Sequence, residues 1–286
     1  MKIKKGVILT AGNGTRLYPL TKIFNKSLLP VYDKPMIYYP LQTLKQLGCE
    51  EIMIVSGRQH SGQIMSMLGA GFSPDGKDEL KSDLDIALTY RVQEKAGGIA
   101  QALGICKNFA GDDSIAVCLG DNIFEDDFTD FTFDGGGHIF IKPVSDPERF
   151  GIAEVNFNEV ISIEEKPKKP KSDLCVTGLY VYDNQVWDII DNLKPSARGE
   201  LEITDVNLEY VKRHHMGYTY LDGFWSDAGT PDSLAEATQL VKNKAWLTLQ
   251  KGCILRYVSE YICKTHKDFF GSSHLGRQNR LFQISI

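Results

Sequence analysis

The chain has 286 residues, of which 42% are hydrophobic and 24% charged, and its net charge is −5. This composition is typical of a globular protein with enough core for one large domain or two smaller ones. The acidic balance argues against a nucleic-acid binder or a membrane-surface protein, and no apolar run is long enough to span a bilayer. We therefore expect neither a nucleic-acid partner nor a membrane partner.

The first half of the chain alternates short apolar runs with helical patterns. Strands are predicted at KGVIL and at residues 50–57, 84–92 and 114–122, and helices at 36–47, 63–68 and 99–109. Strands separated by helices of this length indicate βαβ units, whose crossovers are right-handed. We therefore predict an α/β fold with a Rossmann-like, doubly wound and mostly parallel sheet.

The second half of the chain has a different order of predicted elements. Strands separated by short turns are predicted at residues 137–144, 151–157, 160–167 and 176–183. Helices at 184–193 and 203–214, a strand at 217–223 and a helix at 231–249 follow. Short turns between strands indicate antiparallel pairing, so an antiparallel portion is appended to the parallel sheet.

The cysteines indicate a reducing environment. All six, at positions 49, 106, 118, 175, 253 and 263, are scattered and form no CxxC pair. Most lie in apolar runs, which is typical of reduced core residues rather than of a disulfide framework. We therefore expect a cytoplasmic protein.

The loop after the first strand, LTAGNGTRL, has the composition of an anion-binding loop. Gly12 and Gly14 allow the backbone to turn its N–H groups toward one anion, and Arg16 and Lys26 supply positive charge. The motif alone leaves a second interpretation open, which is a tight turn between a strand and a helix.

Two acidic residues lie where strands are predicted to end. Asp121 and Asn122 follow the strand IAVCL, and Asp227 follows Trp225 in the segment WSDAGT. Carboxylates at strand ends are natural Mg²⁺ ligands when phosphates lie above them. The alternatives are simple turns, a core position for Trp225, and an N-cap role for Thr230 before a helix.

Two further polar segments could contact a hydroxylated substrate. Glu164-Glu165-Lys166 closes a predicted strand, and RGELEITD at 198–205 precedes a predicted helix. Acidic residues at a helix N-terminus are also explained by the helix dipole alone. The segment KPKKPKSD at 166–173 is interpreted as a solvated turn.

Taken together and in order, these motifs resemble those of a known family. LTAGNGTRL, KSLLPVYDKPMIYYP, VQEKAGGIAQA, LGDN, DPERFG, EEKPKKPKS, VTGLYVYD, RGELEITDVN and WSDAGTPDSL closely resemble the glucose-1-phosphate thymidylyltransferases, which are sugar nucleotidyltransferases. The resemblance extends from the N-terminus to about residue 240. It implies transfer of a nucleotidyl group from dTTP to glucose 1-phosphate, releasing pyrophosphate, with Mg²⁺ as cofactor.

The resemblance also implies a role for each matching residue. Nucleotide binding would involve Leu9, Ala11, Gly12, Gly14, Thr15, Arg16, Gln93, Gly98 and Asp121. Sugar-phosphate binding would involve Asn122, Gly151, Glu165, Lys166, Val176, Arg198 and Trp225. The catalytic residues would be Arg16, Lys26, Asp121 and Lys166, and Mg²⁺ would be held by Asp121 and Asp227.

The same resemblance suggests how the chain is organised. It implies a nucleotidyltransferase domain at 1–250, with a nucleotide-binding part at about 1–130 and a sugar-binding part at about 131–230. Residues 251–286 do not follow the family and form a divergent tail. A homotetramer or homodimer is expected by analogy with the family.

Some residues depart from the family pattern and leave alternatives open. Thr10-Ala11 replaces the usual Ala-Gly, Gly97 replaces an acidic residue, and Phe150 replaces a common tyrosine. UTP, or another hexose 1-phosphate, is therefore an alternative substrate. A non-catalytic regulator that binds nucleotide sugars is a second alternative on the same fold. A dinucleotide-dependent oxidoreductase is disfavoured because the loop lacks GxGxxG.

Overall fold

The computed structural model of the protein describes residues 2–71 and 86–244. The chain divides into two compact units, Met1–Thr238 and Gln239–Ile286. Of the second unit only residues 239–244 are described, and they are helical. The predicted domain boundaries stay predictions, and the predicted tail at 251–286, with Cys253 and Cys263, lies outside the described residues. No helix in the described ranges is both long and apolar enough to cross a membrane.

The elements of the first unit follow the predicted alternation. The strands are β1 (Lys5–Thr10), β2 (Pro30–Val31), β3 (Lys34–Pro35), β4 (Glu51–Gly57), β5 (Ala87–Gln93), β6 (Ile115–Leu119), β7 (Ile123–Phe124), β8 (Gly137–Pro143), β9 (Gly151–Asn156), β10 (Glu159–Glu165), β11 (Leu174–Tyr182), β12 (Met216–Tyr220) and β13 (Trp225–Ser226). The helices are α1 (Tyr38–Gln46), α2 (Ser61–Leu68), α3 (Ile99–Gly104), α4 (Lys107–Ala110), α5 (Val186–Asn192) and α6 (Ile203–Lys212). Residues 231–238 are also helical.

The main sheet joins a parallel half to an antiparallel half, as predicted. Its strand order is β10-β9-β11-β6-β1-β4-β5, with β8 beside β11 and β12 beside β8. Strands β6, β1, β4 and β5 are mutually parallel. Strand β11 runs antiparallel to β6, and it also pairs antiparallel with β8 and β9. The carboxyl ends of the parallel strands therefore lie at one edge, beside the antiparallel portion.

Helices cover both faces of the sheet because side chains along its strands alternate between two cores. In β1, Val7 and Leu9 belong to one core and Ile8 to the other. Helix α1 packs its apolar side chains into the core of Ile8, whereas α3, α5 and α6 pack into the core of Val7 and Leu9. This alternation has the period of two that is expected along a strand, and it explains how helices can pack on both faces of the predicted doubly wound sheet.

Two differences between the predicted and the observed elements bear on the packing and on the site. The helix expected at 99–109 is divided into α3 and α4, because the chain turns after Gly104, a poor helix former. A Cβ at that glycine would lie 3.1 Å from Ile190 Cγ2 of α5, so close packing against α5 explains why a glycine occupies this position. The strand expected at 114–122 ends at Leu119, which places Asp121 in a turn rather than in the strand.

The described cysteines are core residues without disulfides. Cys49, Cys106, Cys118 and Cys175 are all buried and free. Burial raises the pKa of Cys49 and of Cys106 to about 12. These thiols are therefore protonated near neutral pH and are poor nucleophiles.

Candidate active site

The anion loop predicted after β1 is held in place by the segment that follows it. Gly14 has a φ of +61°, which favours glycine, and its carbonyl accepts a hydrogen bond from Thr21 Oγ1 at 2.7 Å. Asn25 Nδ2 donates to the carbonyl of Thr10 at 2.8 Å. These contacts bring Lys26 to the loop, where a Cβ on Gly12 would lie 3.7 Å from Lys26 Nζ. The hydrogen bonds of Thr21 and Asn25 therefore hold the loop and Lys26 in a fixed arrangement.

Lys26 forms an ion pair with Asp121 in the turn after β6. The two side chains are 16% and 9% exposed, so both charges are largely withdrawn from water. Asn122 Nδ2 donates to the other carboxylate oxygen, Asp121 Oδ1, at 3.0 Å. Asp121 is therefore fixed in orientation, with a cation on one oxygen and an amide on the other.

A two-residue strand brings Asp227 to the same edge of the sheet. β13 pairs with β7, so that Trp225 lies opposite Phe124, and Asp227 follows directly. Asp227 Oδ2 lies 3.4 Å from Arg149 Nη2 and 4.0 Å from Arg16 Nη1. Two guanidinium groups therefore offset the charge of this carboxylate, whose side chain is 16% exposed.

A second charged cluster surrounds Glu165 at the end of β10. Thr204 Oγ1 of α6 donates to Glu165 Oε2 at 2.7 Å, and Arg198 Nη2 lies 3.3 Å from Glu165 Oε1. Lys166 Nζ lies 3.4 Å from the same oxygen. Lys166 has a φ of +46°, an uncommon conformation for a residue other than glycine, and such backbone strain is concentrated at functional sites.

Two acidic residues at the start of α6, Glu202 and Asp205, interact with this cluster. Glu202 accepts hydrogen bonds from Ser196 Oγ at 2.8 Å and from Arg198 Nε at 3.1 Å. The pKa of Asp205 is raised above its ordinary value, chiefly by burial and further by the nearby carboxylates of Glu202 and Glu165. Glu202 therefore holds Arg198 by hydrogen bonding, in addition to any interaction with the helix dipole.

Asn122 connects the two sides of the site. Its Oδ1 accepts hydrogen bonds from the backbone N–H of Gly178 at 2.9 Å and from Trp225 Nε1 at 2.7 Å. The ring of Trp225 packs edge-on against Phe150, with centroids 5.4 Å apart. Phe150, at the position where the sequence departs from the family, thus supports the indole.

Gln93 and Gly98 form the far end of the site. Gly98 has a φ of +98°, and a Cβ there would lie 2.3 Å from the carbonyl oxygen of Leu201. Only glycine fits this position, both in conformation and in space. Gln93 is the last residue of β5, and its Nε2 lies 3.4 Å from the carbonyl oxygen of Gly98.

The predicted residues converge on two cavities with a shared wall. The larger, of about 850 Å³, is lined by Thr15, Arg16, Asp121, Asn122, Gly151, Glu165, Lys166, Val176, Arg198, Trp225 and Asp227. The smaller, of about 330 Å³, is lined by Leu9, Ala11, Gly12, Arg16, Lys26, Gln93, Gly98, Asp121, Glu165, Lys166 and Arg198. Gly14 lines neither cavity, and its contribution is to the shape of the loop.

Sequence reasoning missed residues that line the larger cavity. Arg149, Thr204, Tyr180 and Asn207 all contribute to its wall. Asn207 is 1% exposed, and its Oδ1 accepts a hydrogen bond from Tyr182 Oη at 2.6 Å. A buried asparagine on the apolar face of α6 is an unusual feature of the sequence that could have indicated it.

Comparison with known proteins agrees with this geometry. A family model described as nucleotidyl transferase matches residues 5–244. The chain therefore belongs to the nucleotidyl transferase family, and the predicted class of enzyme is confirmed.

Within this family the relatives are more specific. A glucose-1-phosphate thymidylyltransferase from Neisseria meningitidis is 44% identical over 247 residues, which are 83% of this chain and 82% of the relative. One from Mycolicibacterium smegmatis is 42% identical, with 83% and 82% covered. The resemblance inferred from the sequence motifs is thus confirmed.

Solved structures include one relative of the same kind and one more distant match. A Bacillus anthracis protein assigned as a glucose-1-phosphate thymidylyltransferase, crystallised with sucrose, has a TM-score of 0.76 and 49% identity, covering 83% of this chain and 94% of that one. A UDP-glucose pyrophosphorylase in complex with UDP-glucose has a TM-score of 0.74 at 23% identity, covering 85% and 99%. The second likeness supports the shared fold alone.

Proposed function

We propose that this chain transfers a thymidylyl group from dTTP to glucose 1-phosphate, forming dTDP-glucose and pyrophosphate. One observation carries the proposal beyond the names of the relatives. The cavities of about 330 and 850 Å³ share a wall that holds Arg16, Asp121, Lys166 and Arg198. Two anionic substrates would meet where these charges are concentrated.

The smaller cavity would hold the nucleotide. Leu9 and Ala11 would pack against the base, and Gln93 and Gly98 would contact its edge. Gly12, Gly14 and Thr15 would form the loop around the triphosphate. Arg16, whose side chain is 58% exposed, is free enough to follow the phosphates that depart as pyrophosphate.

The larger cavity would hold the sugar phosphate. Glu165 would accept hydrogen bonds from sugar hydroxyls, and Gly151 and Val176 would leave room for the ring. Lys166 and Arg198, which flank Glu165, would bind the phosphate of the sugar. Asn122 and Trp225, which are joined by a hydrogen bond, would form part of the wall of this cavity.

Asp121 and Asp227 fit a divalent cation, and we propose Mg²⁺. Both carboxylates line the larger cavity. Mg²⁺ is usually bound through one or two carboxylates, with phosphate and water oxygens completing its shell. No cluster of three or more His, Cys, Asp or Glu within residues 2–71 and 86–244 could hold a metal, so substrate oxygens would be needed here.

The reaction needs positioning and charge stabilisation rather than a general base. The attacking phosphate oxygen of the sugar phosphate is already ionised near neutral pH. Bound Mg²⁺ would stabilise charge on the triphosphate oxygens. Lys26 would stabilise charge that develops at the α-phosphorus, and Lys166 and Arg198 would hold the attacking phosphate in line. Loss of one such cation is expected to cost about 3 kcal/mol of transition-state stabilisation.

Base preference is the part of the proposal that depends most on the loop. Ala11 lines the smaller cavity, and Thr10 is tied to β4 through a hydrogen bond from its Oγ1 to the carbonyl of Val55 at 3.1 Å. A pocket that recognises the methyl group of thymine can favour dTTP over UTP by only about 10–200-fold in kcat/KM. UTP is therefore the necessary comparison substrate.

The test is a panel of dTTP, UTP, dCTP and dATP against glucose, galactose and mannose 1-phosphates, read by pyrophosphate release with and without Mg²⁺. We expect the highest kcat/KM for dTTP with glucose 1-phosphate, and no turnover without a divalent cation. Arg16→Met should lose about 100-fold in kcat/KM, whereas Arg58→Met, at an exposed pair with Glu94, should not. A clear preference for UTP, or no pyrophosphate with any pair, would overturn the proposal.

A further inference from the structure

The amide of Gln93 is held by two acceptors at the mouth of the base cavity. Gln93 is 7% exposed and lines the smaller cavity. Its Nε2 donates to Gln101 Oε1 of α3 and lies 3.4 Å from the carbonyl oxygen of Gly98. Both N–H bonds of this amide are therefore directed to protein atoms.

These contacts fix the orientation of the amide. A backbone carbonyl can only accept hydrogen bonds, so the contact with Gly98 identifies the nitrogen end of Gln93 independently of Gln101. Gln93 Oε1 is then the end turned away from both partners. No donor for this oxygen exists among residues 2–71 and 86–244, and it is available to a ligand in the cavity.

We propose that Gln101 is a positioning residue that makes Gln93 present an oxygen to the base and thereby selects thymine and uracil against cytosine. Thymine and uracil carry a ring N3–H, which donates to such an oxygen. Cytosine has an unprotonated N3, which would face Gln93 Oε1 as a second acceptor and leave both without a hydrogen. The inference rests on the proposed function, in which Gln93 lies against the base.

The position of Gln101 depends on Gly97, a residue that differs from the family pattern. A Cβ on Gly97 would lie 3.1 Å from Gln101 Cγ and 3.3 Å from Gln101 Oε1. Gly97, which stands where the family pattern has an acidic residue, therefore leaves room for Gln101 to lie across it.

The test compares kcat/KM for dTTP and dCTP, at saturating glucose 1-phosphate, in wild type and in variants of Gln101. Gln101→Met has similar volume, but its sulfur is only a weak acceptor. The amide of Gln93 then keeps only the long, 3.4 Å contact with Gly98 and can turn. We expect the ratio of dTTP to dCTP to fall at least tenfold, through a higher KM for dTTP, with kcat within about threefold. Gln101→Glu keeps an acceptor and should retain the ratio within about threefold.

Further variants separate positioning from general damage to the protein. Gln42→Met, on the exposed side of α1, should leave the ratio and both KM values unchanged. If Gln101→Met does not fold, Gln101→Lys takes its place, because an ammonium donor should turn the oxygen of Gln93 away from the base. A ratio within twofold of wild type in the folded Met or Lys variant overturns the inference, as does an equal loss in Gln101→Glu.

The two proposals fail in different ways. If wild type does not turn over dTTP, the proposed function itself is wrong. If wild type prefers dTTP to dCTP and Gln101→Met retains that preference, only the role of Gln101 is wrong.

Discussion

Lys26→Met should damage the protein in two separable ways. The substitution keeps most of the length of the side chain but removes the cation that faces Asp121. In the folded protein Asp121 would then be a carboxylate that is 9% exposed and has lost its partner. We therefore expect a loss of stability as well as a loss of activity.

The size of the stability loss follows from burial. Breaking a buried pair by removing one partner costs about 3–5 kcal/mol, and the hydrogen bond from Asn122 to Asp121 favours the lower end. A loss of about 3 kcal/mol in a domain of this size lowers Tm by roughly 6–12 °C. The double variant Lys26→Met/Asp121→Asn removes the unpaired charge, so most of the stability should return.

Thermal melting and pyrophosphate release, measured on the same preparations, separate the two effects. Both the single and the double variant should lose at least about 100-fold in kcat/KM, because both lack the cation and the double variant also lacks one of the two carboxylates. Lys107→Met is the control, since its pair with Asp191 at 2.7 Å is exposed to solvent and should leave Tm nearly unchanged. A single variant that melts with wild type, or a double variant that regains activity, would refute the reasoning.

Three further predictions follow from the same geometry. Asp227→Asn should abolish pyrophosphate release and raise the Mg²⁺ concentration needed for nucleotide binding by calorimetry, while circular dichroism stays that of the wild type. Gly98→Ala should cost about 2–4 kcal/mol in urea unfolding, because its Cβ would lie 2.3 Å from the carbonyl oxygen of Leu201, whereas Gly62→Ala meets nothing within 4 Å and should not destabilise. Burial lowers the pKa of His138 to about 4 from its ordinary 6.5. The unfolded chain gains this proton near pH 6.5, so stability should fall between pH 6.5 and 4, by roughly 3 kcal/mol at most, and His138→Phe should reduce that slope.

Each of these predictions has a contradicting outcome. Full turnover in Asp227→Asn would exclude a metal role for that carboxylate. An unchanged unfolding midpoint in Gly98→Ala would mean that the tight approach to Leu201 is not present. A slope that His138→Phe leaves intact, and that the exposed control His215→Gln reduces instead, would assign the pH dependence to another group.

The architecture was predictable where local patterns decide it. The apolar run around Val7 to Leu9 and its alternation between two cores follow from the period of a strand. The order of the strands could not be predicted from the sequence, because a pairing such as that of β12 with β8 is set by contacts between distant segments. The close approach of Gly104 to Ile190, which leaves little room for a Cβ, has the same origin.

The site was predictable to the extent that parallel strands end at one edge of a sheet. Asp121 was expected there from the run IAVCL, and the structure places it in the turn after β6. The partners of the predicted residues were not predictable. Arg149 contacts Asp227, and Thr204 contacts Glu165. Each pair joins segments that are far apart in the chain, so no local pattern in the sequence indicates the contact.

The central claim is that a nucleotidyl group moves from dTTP to the phosphate of glucose 1-phosphate. Isotope labelling tests it most directly, with dTTP labelled either at the α-phosphorus or at the γ-phosphorus and the purified chain supplied with glucose 1-phosphate and Mg²⁺. The α label should appear in dTDP-glucose and the γ label in pyrophosphate, in equal amounts. An α label that ends in dTMP or stays in dTTP, or a γ label released as inorganic phosphate in the absence of a pyrophosphatase, would contradict the account.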